Sequence, residues 1–293
     1  MIEAIDISKK INQIDILSNI NFTISKSMIV GLLGKNGAGK TTLIEILSNI
    51  QKATTGDISI NQQPLHKWKN IYGELGVCIE PSLPNYLTVN EYLKQVCILK
   101  KLPFSSIEKC IDTMGLEEKR TYRIKNLSFG LKQRVGIASA ILGDPDTLIL
   151  DEPFVGLDPI GLQKVSMYLR ERRDEGAAIL VSSHQLKDIE NLIDSVIYLD
   201  NGVIVENIIY ADFSRFQWIS LATSDNVLAR QVLTQQFNIE KMAETDDLLK
   251  FRTKAADYDR IVSELKQADI VISSIDSAPL QLENIFIEGD GHD

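Results

Sequence analysis

The chain has 293 residues, of which 44% are hydrophobic and 24% charged, and its formal net charge is -9. This composition is typical of a globular protein with a sizeable core, and the acidic balance argues against broad nucleic-acid affinity, which needs a basic face. Its apolar runs fall well short of the roughly 18 to 20 residues of a membrane span. The N-terminal residues do not resemble a secretory signal, so we expect a cytosolic location.

Cysteine spacing and charge distribution give two further expectations. Cys78, Cys97 and Cys110 are widely spaced and form no C-x-x-C pair, which predicts reduced, partly buried thiols. Residues 216–293 hold 7 Lys/Arg and 14 Asp/Glu, against 24 and 26 in the preceding residues. This shift in charge predicts a domain boundary near residues 213–218.

The first strongly patterned segment is a strand, a glycine-rich loop and a helix in direct succession. "MIVGLL" (28–33) predicts a strand buried on both faces, and "KTTLIEILSNI" (40–50) predicts a helix with an apolar face that includes Ile50. Between them, "GKNGAGKT" matches G-x-x-x-x-G-K-[ST], whose backbone N–H groups and lysine bind phosphates. The alternative is a glycine-rich turn without a ligand. The predicted nucleotide-binding residues are Gly34, Lys35, Asn36, Gly37, Ala38, Gly39, Lys40, Thr41 and Thr42.

The middle of the chain changes from strand to helix patterns and back. Residues 87–118 are mostly helical in pattern, with a break at Gly115, which predicts a helical insertion in the sheet. "DTLILDEP" (146–153) then predicts a buried strand that ends in Asp151 and Glu152. Carboxylates at that edge of a parallel sheet suit metal binding by Asp151 and polarisation of a water by Glu152. A capping pair for the next turn is the alternative.

Two more strands follow. "GAAILVSS" (176–183) ends at His184, which would lie near a γ-phosphate if these strands are neighbours, although a lone histidine at a strand end is usually structural. "SVIYLDNGVIVEN" (195–207) predicts a hairpin with a type I′ turn at Asn201-Gly202.

The combination of motifs resembles the ATP-binding-cassette (ABC) ATPases. "LSFGLKQRVGIA" (127–138) is similar to their signature loop and helix, and it precedes "LILDEP", "GLD" (156–158) and His184 in the family's order. A P-loop GTPase or kinase would lack this signature. The resemblance covers about residues 1–213 and implies an α/β P-loop NTPase fold with a RecA-like core, an antiparallel β part and a helical subdomain at about 81–143.

The resemblance also implies how the site works. Glu152 and His184 would act in hydrolysis of MgATP, with Thr41 and Asp151 at the metal. Two cassettes would close head to tail, so that Ser128, Phe129 and Gly130 of one meet the ATP bound by the other, with Asp158 at the interface. Since one phosphate loop and one signature occur here, we expect a homodimer or a pair with a related cassette.

Glu80 differs from the residue that most cassettes carry at this position, but one group of exporter ATPases shares it. Most cassettes carry a glutamine at the end of this strand, where it contacts Mg²⁺ or the attacking water, and "LGVCIEP" (75–81) places Glu80 in that position. This feature resembles the ATPases of bacitracin-resistance and lantibiotic-immunity exporters, and implies a catalytic and metal-binding role. A solvated loop acid is the alternative. Other departures are Phe129 and Leu131 in the signature, and Ile11 where many cassettes stack an aromatic residue on adenine.

Residues 214–293 do not continue the cassette. They predict two short β-α-β-like units forming a small α+β domain, with core positions at Phe251, Ile261, Leu265, Val271 and Ile285. The ending "LENIFIE" resembles the tail of ATPases that serve ABC-2-type exporters. We favour a dimer-supporting or regulatory accessory module over an additional binding site.

The resemblance implies the ATPase subunit of an ABC exporter, peripheral on the cytoplasmic face of the membrane, with a separate polytopic permease. By resemblance, the cargo would be an amphipathic or antimicrobial peptide. Residues 80–125 would receive the permease through apolar side chains such as Tyr86, Leu87, Tyr92 and Leu93, unless that stretch is a plain solvated helical face. The alternatives are an exporter of a drug, lipid or sodium ion, a soluble ribosome-acting switch, and a chromosome-maintenance ATPase. A ribosome-acting switch usually carries two cassettes per chain, whereas this chain has one. A chromosome-maintenance ATPase needs a long coiled-coil insertion between the phosphate loop and the signature, and the residues present there are too few.

Overall fold

The computed structural model describes residues 1–67, 74–79, 83–209, 216–245 and 248–279. The chain divides into two compact units, Met1–Asn207 and Ile208–Asp293. The predicted boundary at residue 213 lies outside the described residues, as do Glu80 and Ile285, so these expectations stay predictions. No helix among the described residues has both the length and the apolar character needed to cross a bilayer.

Strands and helices alternate through residue 209 in the order expected of an α/β unit. The strands are β1 (Ile2–Ile11), β2 (Ile14–Ile24), β3 (Met28–Leu33), β4 (Thr55–Ile60), β5 (Gln63–Pro64), β6 (Leu75–Cys78), β7 (Thr147–Leu150), β8 (Ala178–Ser183), β9 (Ser195–Asp200) and β10 (Val203–Ile209). The helices are α1 (Lys40–Leu47), α2 (Val89–Lys100), α3 (Ser106–Met114), α4 (Phe129–Ile141) and α5 (Pro159–Asp174).

A largely parallel sheet carries the candidate site. In the described part of the chain its order is β10-β9-β3-β8-β7-β6, and β3 pairs in parallel with β8 and β9, as β7 does with β6 and β8. Every residue of β7 and β8 is buried, which explains their continuous apolar sequences. Because parallel strands end at the same edge, the segments after β3, β7 and β8 meet there.

An antiparallel sheet, β2-β1-β4-β5, packs with α1 into the same core. Leu43, Ile44 and Leu47 of α1 are buried, as the helical spacing predicts. The prediction for Ile50 is wrong. Helix α1 ends at Leu47, and Ile50 follows in a turn with 66% of its surface exposed.

Helices α2 to α4 form the predicted insertion between β6 and β7. Helix α2 begins with a capping box in which Thr88 and Glu91 bond reciprocally to each other's backbone. Helix α3 ends at Gly115 in the left-handed conformation (φ 63), the predicted break. Leu93 is fully buried and belongs to the core, so its assignment to a partner surface is wrong, whereas Tyr86 is 73% exposed.

The second unit is a split β-α-β arrangement. Its elements are β11 (Phe216–Thr223), α6 (Asn226–Gln236), β12 (Glu240–Thr245), β13 (Leu248–Lys254), α7 (Tyr258–Gln267) and β14 (Ile272–Pro279). The described strands pair antiparallel in the order β12-β13-β11-β14, with both helices packed against the sheet, as in ferredoxin-like folds.

One prediction for this unit is wrong, and one strand was not predicted. The sequence pattern did not identify β12, whose "EKMAET" carries few apolar residues. Val271 is 66% exposed because it precedes β14, whereas Phe251, Ile261 and Leu265 are fully buried as predicted.

Candidate active site

The phosphate loop connects the end of β3 to the start of α1. Lys40 is the first residue of α1, and its ammonium donates to the carbonyl oxygens of Gly34 (2.6 Å) and Lys35 (3.1 Å). Gly39 lies in the left-handed region at φ 104, and a Cβ there would come within 2.8 Å of the Leu17 side chain. Glycine is therefore required for the chain to enter the helix at this angle.

The positive charge of Lys40 suits it to bind phosphate, and the residue is only 7% exposed. Burial lowers its pKa, while the carboxylates of Glu152 and Asp151 act in the opposite direction and raise it. A buried ammonium held by carbonyl oxygens can exchange those weak partners for phosphate oxygens, which carry full negative charge.

Asp151 lies at the end of β7, directly opposite the phosphate loop. Its Oδ2 accepts a hydrogen bond from Thr41 Oγ1 (3.1 Å), and its Oδ1 accepts one from Ser182 Oγ (2.5 Å). Hydroxyl and carboxylate oxygens of this kind are the ligands that Mg²⁺ prefers. Among the described residues there is no cluster of three or more His, Cys, Asp or Glu side chains that could hold a metal.

Glu152 and His184 lie side by side because β7 and β8 are neighbouring strands, which meets the condition set for His184 in the sequence. His184 Nδ1 lies 2.9 Å from Glu152 Oε2, and their side chains are 36% and 28% exposed. The backbone N–H of Glu152 donates to Ser182 Oγ (2.8 Å), and its carbonyl accepts from Gln133 Nε2 (3.1 Å). The backbone of Glu152 is therefore fixed by two hydrogen bonds, while its carboxylate remains partly exposed.

A cavity of about 300 Å³ joins these groups. It is lined by Asn36, Thr41, Phe129, Gln133, Asp151, Glu152, Val155 and His184. Residues from the phosphate loop, the ends of β7 and β8, and α4 thus border one space. This is large enough for a phosphate group and water.

The signature residues stand at the N-terminus of α4. Ser128 is exposed and caps this helix by accepting from the Leu131 N–H (3.4 Å), and Phe129 is 58% exposed. A Cβ at Gly130 would lie 2.2 Å from the Gly156 carbonyl oxygen, so only glycine permits this close approach.

Asp158 caps α5 and is tied to α4. Its Oδ1 accepts from the Gly161 N–H (3.0 Å) and lies 3.2 Å from Arg134 Nη2. Arg134 is 9% exposed, and its Nη1 also donates to the Met114 carbonyl (3.4 Å). The turn that follows Glu152 is therefore fixed against the signature helix.

Sequence reasoning missed Ser182, Gln133 and Arg134. Ser182 lies in "GAAILVSS" (176–183), and Gln133 and Arg134 lie in "LSFGLKQRVGIA" (127–138), but no pattern indicated that their side chains reach Asp151, Glu152 and Asp158. The three free cysteines are more completely buried than predicted, with at most 4% of each exposed.

A phosphate loop facing an acidic pair at the carboxyl edge of a parallel sheet defines a P-loop nucleoside-triphosphate hydrolase. Comparison with known proteins specifies the family. A sequence profile of the ABC transporter family matches residues 17–155. YcbN of Bacillus subtilis (strain 168), an uncharacterised ABC transporter ATP-binding protein, is 32% identical over 94% of this chain and 92% of its own length.

Two other relatives are named for the compounds that they transport. The bacitracin transport ATP-binding protein BcrA of Enterococcus faecalis is 29% identical over 98% of this chain and 95% of its own. The lantibiotic transport ATP-binding protein SrtF of Streptococcus pyogenes is 33% identical over 70% of this chain and 89% of its own.

Solved structures agree. A structure of an ATP-binding subunit of an ABC transporter is 30% identical with a TM-score of 0.69, covering 73% of this chain and 92% of that one. A dimeric bacterial ABC transporter cassette, 23% identical, has a TM-score of 0.66 over 71% of this chain and 98% of its own, which supports the fold. The chain belongs to the ABC transporter ATP-binding proteins, and it is the ATPase subunit of an ABC transporter.

Proposed function

We propose that this ATPase powers the export of amphipathic or antimicrobial peptides and so protects the cell against them. The observation that carries the proposal is the extent of the match to BcrA, which spans 98% of the chain and so includes the second unit. The match to SrtF covers only 70% of the chain. A bacitracin-type cargo is therefore favoured over a lantibiotic.

The site geometry supports a division of roles in ATP hydrolysis. The loop from Gly34 to Thr42, with Lys40, would bind the phosphates of ATP. Glu152 would polarise the attacking water, and His184 would hold that carboxylate and meet the γ-phosphate. A magnesium ion would be held by Thr41 and Asp151, with phosphate and water as its other ligands, and it would neutralise charge that develops on the transferred phosphate.

Glu80 retains its proposed role beside the metal and water, although it lies outside the described residues. Strand β6, which precedes it in the sequence, ends at Cys78 next to the end of β7, since Cys78 and Leu150 are register partners. The chain therefore leaves β6 at the edge of the sheet that carries Asp151. This supports the proposed role of Glu80.

The active unit would be a pair of cassettes. Ser128, Phe129 and Gly130 lie at an exposed helix start, where backbone N–H groups can meet the phosphates of a nucleotide held by a second copy or a related cassette. Asp158 is also exposed and would lie at this interface. The second unit would support the pair.

A polytopic permease would hold the ATPase at the cytoplasmic face of the membrane. The helical insertion exposes several large apolar side chains: Tyr86 (73%), Ile98 (65%), Leu99 (73%), Phe104 (52%) and Tyr122 (48%). Exposed apolar groups of this size favour a protein partner over plain solvent.

The test is a growth assay in the native host. We delete the gene and measure the lowest inhibitory concentrations of bacitracin, a lantibiotic and an unrelated ribosome-directed antibiotic. We expect greater sensitivity to bacitracin, restored by the wild-type gene but not by Lys40→Ala, because that variant cannot hold the phosphates of ATP. Unchanged sensitivity to both peptides, with accumulation of a drug, lipid or sodium ion instead, would replace the peptide with another cargo.

A further inference from the structure

The backbone of Glu152 is held in an unusual conformation. Its φ is 44°, in the left-handed region that side chains other than glycine seldom adopt. Such a conformation costs free energy and persists only where the surroundings enforce it, and it often occurs where it serves function. The contacts that enforce it here come from two separate elements.

The first contact is from the neighbouring strand. Ser182, on β8, is fully buried, and its hydroxyl accepts from the Glu152 N–H while donating to Asp151 Oδ1. One hydroxyl thus fixes the peptide of Glu152 and the carboxylate of Asp151 together. The hydroxyl uses both its donor and an acceptor position, so it has a single rotamer that serves both partners.

The second contact is from the signature helix. Gln133 lies on α4, within two turns of Ser128, and is 4% exposed. Its amide donates to the Glu152 carbonyl at 3.1 Å. A buried amide that leaves this contact would strand the carbonyl without a partner, which costs more than the bond itself contributes.

A steric contact reinforces the link. The start of α4 at Gly130 lies so close to Gly156 that no Cβ fits between them. Gly156 is only four residues after Glu152 in the same turn. A movement of α4 therefore moves the turn that contains Glu152 both by hydrogen bonding and by direct contact.

We propose that Gln133 and Ser182 are positioning residues that hold the main chain of Glu152, and that Gln133 makes the aim of this carboxylate depend on the position of the signature helix in the same subunit. The inference rests on the proposed role of Glu152 as the group that polarises water. It adds a route within one chain by which closure of the signature on a nucleotide changes hydrolysis. Because Ser182 also donates to Asp151, the carboxylate proposed to bind magnesium would move together with the main chain of Glu152.

The test compares variants of the full-length chain in steady-state ATP hydrolysis and in equilibrium binding of ATP. Gln133→Met keeps the length and burial of the side chain but cannot donate to the Glu152 carbonyl. We expect kcat to fall at least about tenfold with no change in the Kd for ATP, because Gln133 contacts the catalytic turn rather than the phosphate loop. We expect Tm to fall by only a few degrees, because the buried Glu152 carbonyl loses its donor. If the Met variant does not fold, Gln133→Asn, which keeps the amide but is one methylene too short, takes its place.

Ser139→Ala is the matched control. Ser139 lies on the same helix and donates to the Gly136 carbonyl (2.7 Å), so this variant removes a hydrogen bond of α4 without touching Glu152. We expect wild-type kcat. A loss equal to that of the Gln133 variant would show that any weakening of the helix suffices, and would overturn the positioning role.

Glu152→Gln separates this inference from the proposal beneath it. If Gln133 acts through Glu152, the double variant Gln133→Met/Glu152→Gln turns over no more slowly than Glu152→Gln alone. Additive losses, or wild-type kcat in Gln133→Met, would overturn the inference while leaving Glu152 in its role. Wild-type turnover in Glu152→Gln would instead remove that role.

Discussion

The stability of the protein should depend on pH through Lys100, because its ammonium group is largely buried. It lies at the end of α2, and its ammonium donates to the carbonyl oxygens of Ala140 (3.0 Å) and Leu142 (3.1 Å) at the C-terminal end of α4. Burial lowers its pKa from 10.5 to about 8, although the neighbouring Cys110 and Cys97 act to raise it. In the folded protein this lysine therefore loses its proton at a lower pH than in the unfolded chain.

The sign of the effect follows from proton linkage. Above about pH 8 the unfolded chain binds more protons at this site than the folded one, so the free energy of unfolding rises with pH. For pKa values of about 8 and 10.5, the rise between about pH 7 and about pH 9 is about 1.3 kcal/mol. Cys78 and Cys110, whose pKa values burial raises to about 12, begin to lower stability near the top of this range.

The assay isolates Lys100 by difference. Lys100→Met keeps the side-chain stem and both thiols but has no ionisable group. Urea denaturation of both proteins at about pH 7, 8 and 9 should show wild type gaining about 1.3 kcal/mol relative to the variant across the range. Parallel pH profiles would refute the argument that the ammonium is charged and desolvated in the fold.

Two further predictions concern burial. Cys78, Cys97 and Cys110 are at most 4% exposed, and burial raises the pKa of each thiol. The native chain should therefore resist alkylation by iodoacetamide at about pH 8, whereas mass spectrometry of the denatured chain should show three added groups. Equal rates of alkylation in the native and denatured chains would contradict the burial of these thiols. Phe251→Ala should lower the free energy of unfolding of the second unit by about 3 to 5 kcal/mol in urea, since Phe251 is fully buried, and a loss below about 1 kcal/mol would place it outside the core.

The parts of the site that sequence could predict are those built from contiguous residues. The strand, loop and helix around Lys40 follow one another without a gap, so their pattern alone defines a phosphate site. The acidic pair after β7 is equally local. The structure then brings His184 to Glu152 because β7 and β8 are neighbours, which the sequence stated only as a condition.

The parts that sequence could not predict depend on long-range contacts of ordinary residues. Ser182 is 31 positions from Asp151, and a serine in a buried strand carries no signal of its partner. Gln133 is 19 positions from Glu152, on a helix whose apolar neighbours give no direction to its amide. The apolar pattern also misassigned Ile50 and Val271, since both lie just beyond the element to which their neighbours belong.

We propose that this ATPase drives a membrane exporter. The most direct measurement is purification of the tagged chain from detergent-solubilised native membranes, with mass spectrometry of what accompanies it. We expect a polytopic membrane protein in stoichiometric amount, retained in Glu152→Gln and lost when the exposed Ile98 and Leu99 are both changed to Asp. Recovery with ribosomes or DNA, or without any membrane protein, would contradict the exporter function.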